Sequence, residues 1–157
     1  MDLAVPVVHH TNMKTVADDL ESRLTVAKRL RETDARTVSQ RPAPGKWSAK
    51  ETLGHLIDSA ANNHQRFVRV QLYDDLDLPG YEQESWVAVQ GYQEAAWGDL
   101  LWLWKAFNEH LVRIIALIPE EKLARTFRVA GEEPVTLGYW VEDYLRHMQK
   151  HLGQILD

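Results

Sequence analysis

Two histidines near the C-terminus, His147 and His151, are separated by three residues within a stretch whose apolar spacing predicts a helix. Residues four apart lie on the same helical face, so both imidazoles can reach one ion. A catalytic zinc-type centre normally has three protein ligands and an open position, so this pair requires a third ligand from elsewhere. Such pairs also arise by chance on solvated helix faces, and the spacing alone leaves both interpretations open.

Another histidine, His55, lies in a second predicted helix whose apolar stripe runs from Leu53 to Leu72. Polar residues follow His55 at steps of three and four, which places them on one helical face. A histidine on such a face is often a hydrogen-bonded core residue. A polar row is also what lines a substrate pocket between helices. The row consists of His55, Ser59, Asn62 or Asn63, and Arg66.

Composition narrows the class of protein. A chain of 157 residues with 45% hydrophobic and 26% charged residues is typical of one globular domain with a core. The formal net charge of -5 argues against a nucleic-acid partner, which requires a basic face. Neither a membrane span nor a signal peptide is recognisable, so we expect a cytoplasmic protein without a membrane partner. Because the chain contains no cysteine, a metal would be bound by His, Asp or Glu, and thiol chemistry would need an external thiol.

Helical periodicity predicts four helices in a single domain over residues 1–157, preceded by an N-terminal arm over residues 1–10. The second helix has a clear start signal, the capping box formed by Ser48 and Glu51. The predicted helices cover residues 11–32, 48–73 and 92–118, and a fourth begins near Thr136 or Gly138 and continues to about Ile155.

Three connections separate these helices. Two prolines and a glycine predict an irregular linker over residues 36–46. The acidic stretch over residues 74–91 predicts a long loop, and loops of this length commonly serve as lids or binding loops. Before the fourth helix, β-branched and aromatic residues flank a Gly turn, which predicts a short β-like excursion over residues 126–136.

Four segments of the sequence together match a known family. They are Lys46–Asp58, which contains the capping box and His55, Arg66-Phe67, the Leu-Pro-Gly-Tyr stretch Leu78–Tyr81, and His147–His151. With these segments the chain resembles the DinB/YfiT-like family over nearly its whole length. The resemblance implies an all-α fold, a four-helix bundle in which one histidine of the second helix and two of the fourth bind a divalent metal ion. Carried over to this sequence, those ligands are His55, His147 and His151.

The resemblance also implies a range of activities. The better-understood members of the family are transferases or isomerases that use bacillithiol, mycothiol or glutathione. We therefore expect a metal-dependent enzyme, in the first place a low-molecular-weight-thiol S-transferase acting on a small-molecule substrate. The alternatives are a metal-dependent hydrolase and a non-catalytic, stress-related metal-binding protein. We expect one divalent ion. Its identity does not follow from the ligands, because three imidazoles can bind zinc, nickel, copper, iron or manganese.

Further residues are candidates for supporting roles. Asp143 lies one turn before His147 and is predicted to accept the free ring N–H of that histidine, although an exposed helix charge fits equally. Arg66, with Asn62 or Asn63, is predicted to orient a carboxylate or peptide-like group of a low-molecular-weight thiol. The full set of substrate-binding candidates is Ser59, Asn62, Asn63, Arg66 and Tyr144.

The third predicted helix has broader apolar coverage than one bundle seam requires. Trp97 and Trp102 extend that coverage beyond its main apolar stripe. Exposed apolar surface on a helix commonly forms a subunit interface, so the sequence predicts a homodimer that assembles through helix faces.

Overall fold

The computed structural model describes residues 12–157. The predicted N-terminal arm, residues 1–10, lies outside the described residues. The helices are α1 Met13–Leu24, α2 Val26–Arg31, α3 Ala35–Ser39, α4 Ala49–Leu72, α5 Gln83–Val89, α6 Trp97–Ala116 and α7 Leu137–Leu156, and the strands are β1 Asp77–Leu78, β2 Thr126–Val129 and β3 Val135–Thr136.

Four long helices, α1, α4, α6 and α7, form a bundle. Helix α6 packs against both α1 and α4, and α4 packs against α7. Trp104 of α6 and Phe67 of α4 are completely buried in the core of the bundle. Phe127 is also buried, and it anchors β2 to the helical core. The predicted fold class, a four-helix bundle with a small β-like excursion, is therefore confirmed. A membrane-crossing helix, which needs both length and a continuous apolar composition, is not found within residues 12–157.

Helix α4, the central helix of the candidate site, begins where the sequence predicts. The Glu51 N–H donates to Ser48 Oγ at 3.2 Å, and the Ser48 N–H donates to Glu51 Oε2 at 2.9 Å. Arg41 adds a two-bond ion pair to the same carboxylate, which holds the pKa of Glu51 below its usual value. This reciprocal capping satisfies two backbone donors that a helix end leaves unpaired, and it fixes the start of α4 about two turns ahead of His55.

The prediction that residues 11–32 form a single helix is wrong. The structure interrupts it at Thr25 and ends its second part, α2, at Arg31. The Thr25 hydroxyl donates to the Ser22 carbonyl and the Ser22 hydroxyl donates to the Asp19 carbonyl, each at 2.7 Å. Such side-chain bonds compete with helical backbone bonds, which accounts for a break that the apolar spacing does not reveal.

The linker predicted over residues 36–46 is helical in its first part, because α3 reaches Ser39. Asp34 caps this short helix, since its Oδ1 accepts from the backbone N–H groups of Arg36 and Thr37 at 3.0 Å. Hydrogen bonding to Thr37, chiefly through its hydroxyl, lowers the pKa of Asp34. An N-cap aspartate is a sequence signal that the proline-rich composition of the segment obscures.

The long loop predicted over residues 74–91 is wrong in part, because it contains β1 and α5. Strand β1 pairs in parallel with β2, with Leu78 opposite Val129. The Asp77 carboxylate also accepts the Gly131 N–H at 3.0 Å. These partners come from distant parts of the chain, so local sequence patterns do not indicate the pairing. The predicted β-like excursion is confirmed as the antiparallel pair β2 and β3.

The third predicted helix begins later than expected. A short 3-10 turn occupies Tyr92–Glu94, and α6 starts at Trp97. Trp97 is buried and donates from Nε1 to the Leu30 carbonyl at 2.8 Å. The predicted contribution of Trp97 to a subunit interface is therefore wrong, whereas Trp102 is exposed on α6.

Candidate metal centre

The structure brings the three predicted histidines together between α4 and α7. One nitrogen from each of His55, His147 and His151 lies within 4.8 Å of the other two. The Nε2 atoms of His55 and His147 are 3.0 Å apart. The two helices run in opposite directions, because His55 meets His147 at one level while Asn63 meets Trp140 at another. Four-residue spacing on α7 and antiparallel packing on α4 thus produce one cluster.

The cluster is largely removed from solvent. His55 is completely buried, whereas His147 and His151 are half-buried. The Trp47 ring lies 5.0 Å from the His55 ring, centroid to centroid, and covers it from the side of the linker. The cluster is therefore covered at His55 and partly exposed at His147 and His151.

Burial keeps the three imidazoles neutral. Burial, together with smaller contributions from the neighbouring rings of His147 and His151, lowers the pKa of His55 to about 3. Burial likewise lowers the pKa of His147 to about 4, with a smaller contribution from His151. The pKa of His151 is also lowered by burial. At neutral pH each ring therefore has a lone pair, which is the form that binds a metal cation.

The hydrogen bond of the His151 ring fits a bound cation. His151 Nδ1 lies 2.8 Å from Gln154 Oε1, so it carries the proton and leaves the Nε2 lone pair for the cluster. Gln154 was missed from the sequence, although its position three residues after His151 on the same helix is a readable signal. Among residues 12–157, His55 Nδ1 has no hydrogen-bond partner although it is buried. Two nitrogens bound tetrahedrally at zinc-like distances are about 3.3 Å apart, close to the separation of the His55 and His147 atoms.

Within the described part of the chain, no Asp, Glu or fourth His joins the three-histidine group. Structural metal sites commonly have four protein ligands, whereas catalytic sites have three and keep a position for water or substrate. The donor set of this cluster is therefore of the second type.

Asp143 does not take the predicted position behind His147. Its Oδ1 accepts from Arg146 Nη2 at 3.2 Å, and no hydrogen bond to His147 is found within residues 12–157. Asp143 is partly exposed and forms its ion pair with Arg146, three residues further along α7. The three-residue spacing to Arg146 explains this outcome, since i,i+3 pairs on a helix are neighbours.

Two cavities border the cluster. A cavity of about 270 Å³ is lined by His147, and one of about 840 Å³ is lined by His151. The larger cavity is bounded by Trp47 and by residues of α3 and the following linker. These residues were not predicted from the sequence to line a cavity. The smaller cavity lies between α4, α7 and the segment after β1. The three-histidine cluster is thus accessible to small molecules from two sides.

Most of the predicted substrate-binding residues line the smaller cavity. Asn62 does not line it, because its side-chain amide donates to the Asp58 carbonyl at 2.9 Å along α4. Tyr144 contributes its ring, whereas its hydroxyl is directed to Asn108 Oδ1. The predicted residues in the lining are Ser59, Asn63, Arg66 and Tyr144.

Two further residues of this cavity were missed as binding candidates. Trp140 donates from Nε1 to Asn63 Oδ1 at 2.6 Å, and its ring faces the Arg66 guanidinium at 5.2 Å. Trp140 precedes His147 by seven residues, which places both on one helical row and is a usable signal. Tyr81 comes from the predicted loop, where the parallel pairing of β1 holds it over the cavity.

Fold and site together define a class, the four-helix bundles with three histidines contributed by two facing helices. The pattern of the DinB superfamily matches residues 20–155, and the chain belongs to this superfamily. The resemblance found in the sequence is therefore confirmed.

Similar proteins point to the same class. A protein of Bacillus cereus strain AH820, named "Putative metal-dependent hydrolase", is 21% identical over 138 residues, covering 88% of this chain and 78% of the relative. A protein of Bacillus anthracis strain A0248 with the same name has the same identity and coverage. The solved structure of YfiT from Bacillus subtilis superimposes with a TM-score of 0.80 and 16% identity over 99% of this chain and 89% of YfiT. YfiT is described as a "probable metal-dependent hydrolase with an unusual four-helix bundle topology", and the similarity shows that this chain has that fold.

Proposed function

We propose that the protein is a metal-dependent hydrolase in which His55, His147 and His151 bind one divalent cation. The observation that carries this proposal is the cluster itself, three neutral imidazoles within 4.8 Å of one another and bordered by cavities. The names of the relatives from Bacillus cereus and Bacillus anthracis support hydrolysis as the reaction class.

When bound, such an ion supplies Lewis acidity, which makes water or an external thiol nucleophilic at neutral pH. The chain itself fixes the ligands, because Gln154 accepts the Nδ1 proton of His151 and Trp47 packs beside His55. Asp143 also lines the smaller cavity, where its Oδ1 accepts from Arg146 and its Oδ2 can accept a hydrogen bond from water.

A low-molecular-weight-thiol S-transferase is the second candidate, and it stays a prediction. The observation that favours it is the cavity of about 840 Å³ beside His151, which has room for a tripeptide-sized thiol. The absence of cysteine is consistent with an external thiol, because the protein has no thiol of its own.

One assay series separates the candidates. Metal-loaded protein is incubated with a panel of small esters and amides, and in parallel with bacillithiol, mycothiol or glutathione plus monochlorobimane. We expect hydrolysis that disappears after chelation and in His147→Ala. Thiol conjugation without hydrolysis would replace the proposal by the transferase. Metal that raises the melting temperature without either activity would indicate a non-catalytic metal-binding protein.

A further inference from the structure

Arg66 is a buried cation without a carboxylate partner in the wall of the smaller cavity. Its residue is 6% exposed, and none of the ion pairs within residues 12–157 includes it. Burial accordingly lowers the pKa of Arg66. Buried charges in proteins are normally paired, because removing an ion from water costs free energy that a partner offsets.

The hydrogen bonds of Arg66 are long and involve uncharged oxygens. Its Nη1 donates to Asn63 Oδ1 at 3.5 Å, and its Nη2 donates to the Pro79 carbonyl at 3.3 Å. A guanidinium has five N–H donors in a planar fork, so these two contacts do not exhaust its capacity. The remaining donors suit an anion, which forms shorter and stronger bonds with a charged donor.

Other polar groups of the cavity near Arg66 can also donate hydrogen bonds to an anion. Asn63 uses its oxygen for Trp140 and Arg66, and its amide nitrogen donates to the Ser59 carbonyl at 2.8 Å. The hydroxyls of Ser59 and Tyr81 belong to the same cavity and can each donate a hydrogen bond. An anion is therefore the ligand that this lining complements.

The charged side chains around Arg66 favour one carboxylate group at this position. Arg66 and Asp143 are the charged side chains in the described lining, and Asp143 already pairs with Arg146 at 3.2 Å. One guanidinium matches a planar carboxylate in charge and in its two-bond geometry. A phosphate dianion would place two negative charges against one guanidinium and would approach the Asp143 carboxylate, whereas a dicarboxylate such as glutarate places only one of its carboxylates there.

Arg66 and the histidine cluster occupy one continuous row. His55 and Arg66 are eleven residues apart on α4, close to three full turns, so both lie on the same face. Trp140, beside Arg66, precedes His147 by seven residues on α7, which corresponds to roughly 10 Å along the axis. Arg66 and His147 also line the same cavity, so one small molecule in that cavity can contact both.

We propose that Arg66 binds the carboxylate of the substrate, so that the compounds hydrolysed are small esters or amides with one free carboxylate. This inference rests on the proposed function of the same site. In the reaction the bond from the acyl carbon to the leaving oxygen or nitrogen breaks. Water supplies a hydroxyl to the acyl carbon and a proton to the leaving group.

The binding test uses glutarate and inorganic phosphate as probes, measured by calorimetry on the protein as purified and after chelation. Arg66→Gln is expected to weaken glutarate binding at least about tenfold, since a charge-assisted bidentate contact is lost. Arg66→Lys keeps the charge without the fork and should bind with intermediate affinity. The matched control is Arg69→Gln on the same helix, whose Nε contacts Gln65 at 3.0 Å on the exposed side, and it should bind like wild type.

Two results would overturn the inference: equal glutarate affinity in wild type and Arg66→Gln, or tighter Arg66-dependent binding of phosphate. If circular dichroism shows that Arg66→Gln is unfolded, the comparison of Arg66→Lys with Arg69→Gln decides. Kinetics separate this inference from the proposed function. A protein without hydrolytic activity that binds glutarate through Arg66 would retain the inference and lose the proposed function. A hydrolase in which Arg66→Gln changes KM equally for a carboxylate ester and its neutral methyl ester would retain the proposed function and lose the inference.

Discussion

Each clustered histidine offers one nitrogen to an ion, so the loss of any ring leaves two ligands. We expect about one divalent ion per purified chain, and we expect His55→Ala, His147→Ala and His151→Ala each to lose most of it. Elemental analysis of dialysed protein measures the metal content.

The control for this prediction is a second histidine pair. The rings of His64 and His110 are 5.3 Å apart, centroid to centroid, on α4 and α6 and outside the cluster. His64→Ala and His110→Ala should retain the metal. Retention by all three cluster variants, or loss in these controls, would show that the ligands are assigned wrongly.

The neutral imidazoles make the metal-free protein sensitive to acid. The folded-state pKa values are about 3 for His55 and about 4 for His147, below the value near 6.5 of an unfolded histidine. As the pH falls below about 6.5, the unfolded chain binds more protons than the folded chain, so the free energy of unfolding decreases. The stabilisation is complete above that pH and is lost as the pH falls towards the folded values.

Thermal melts between about pH 7 and pH 5 check this expectation. The melting temperature of chelated wild type should fall with pH more steeply than that of His55→Gln, which lacks one of the titrating groups. Parallel curves for the two proteins would contradict the assigned pKa shifts.

At the scale of elements, the packing of α4 against the 3-10 turn depends on Gly54. A Cβ at Gly54 would lie 2.1 Å from Cδ2 of the Tyr92 ring, and Tyr92 is buried and donates to Asp58 Oδ1 at 2.6 Å. Gly54→Ala should therefore destabilise the protein by about 1–3 kcal/mol through overpacking, despite the better helix propensity of alanine.

Urea unfolding of Gly54→Ala can be compared with Gly153→Ala on α7. A Cβ at Gly153 meets no atom within 4 Å, so this variant should gain up to about 1 kcal/mol from helix propensity alone. Stabilisation of both variants by a similar amount would contradict the close contact with Tyr92.

Elements with local signals could be predicted from the sequence, and those with distant partners could not. The Ser48 capping box and the apolar stripe of α4 are properties of neighbouring residues, and the structure has both. The pairing of Leu78 with Val129 joins segments that no local pattern relates. The break at Thr25 depends on hydroxyl bonds that compete weakly with an otherwise helical pattern.

The same division holds for the site as a whole. The pairing of His147 with His151 could be predicted from helical spacing. The proximity of His55 to this pair depends on how α4 packs on α7, and it could be predicted only from the family resemblance. The polar row on α4 indicated a cavity, but which of its members reach that cavity depends on rotation and on neighbours. Asn62 turns to its own helix, while Trp140 and Tyr81 arrive from elsewhere.

At the scale of the whole molecule, the homodimer remains a prediction. Trp102, which is 67% exposed, is the most exposed large apolar side chain on α6. Removing a large aromatic ring from water is favourable, and tryptophan is enriched at protein interfaces. Burial of the Trp102 ring against a second subunit would therefore stabilise a dimer. Light scattering at micromolar concentration should give twice the monomer mass, and Trp102→Glu should shift the protein to monomer. Val89, at 84% exposed on α5, lies on another element, so Val89→Glu should leave the mass unchanged. A monomeric wild type, or a Trp102→Glu variant that stays dimeric, would exclude an interface formed by this face of α6.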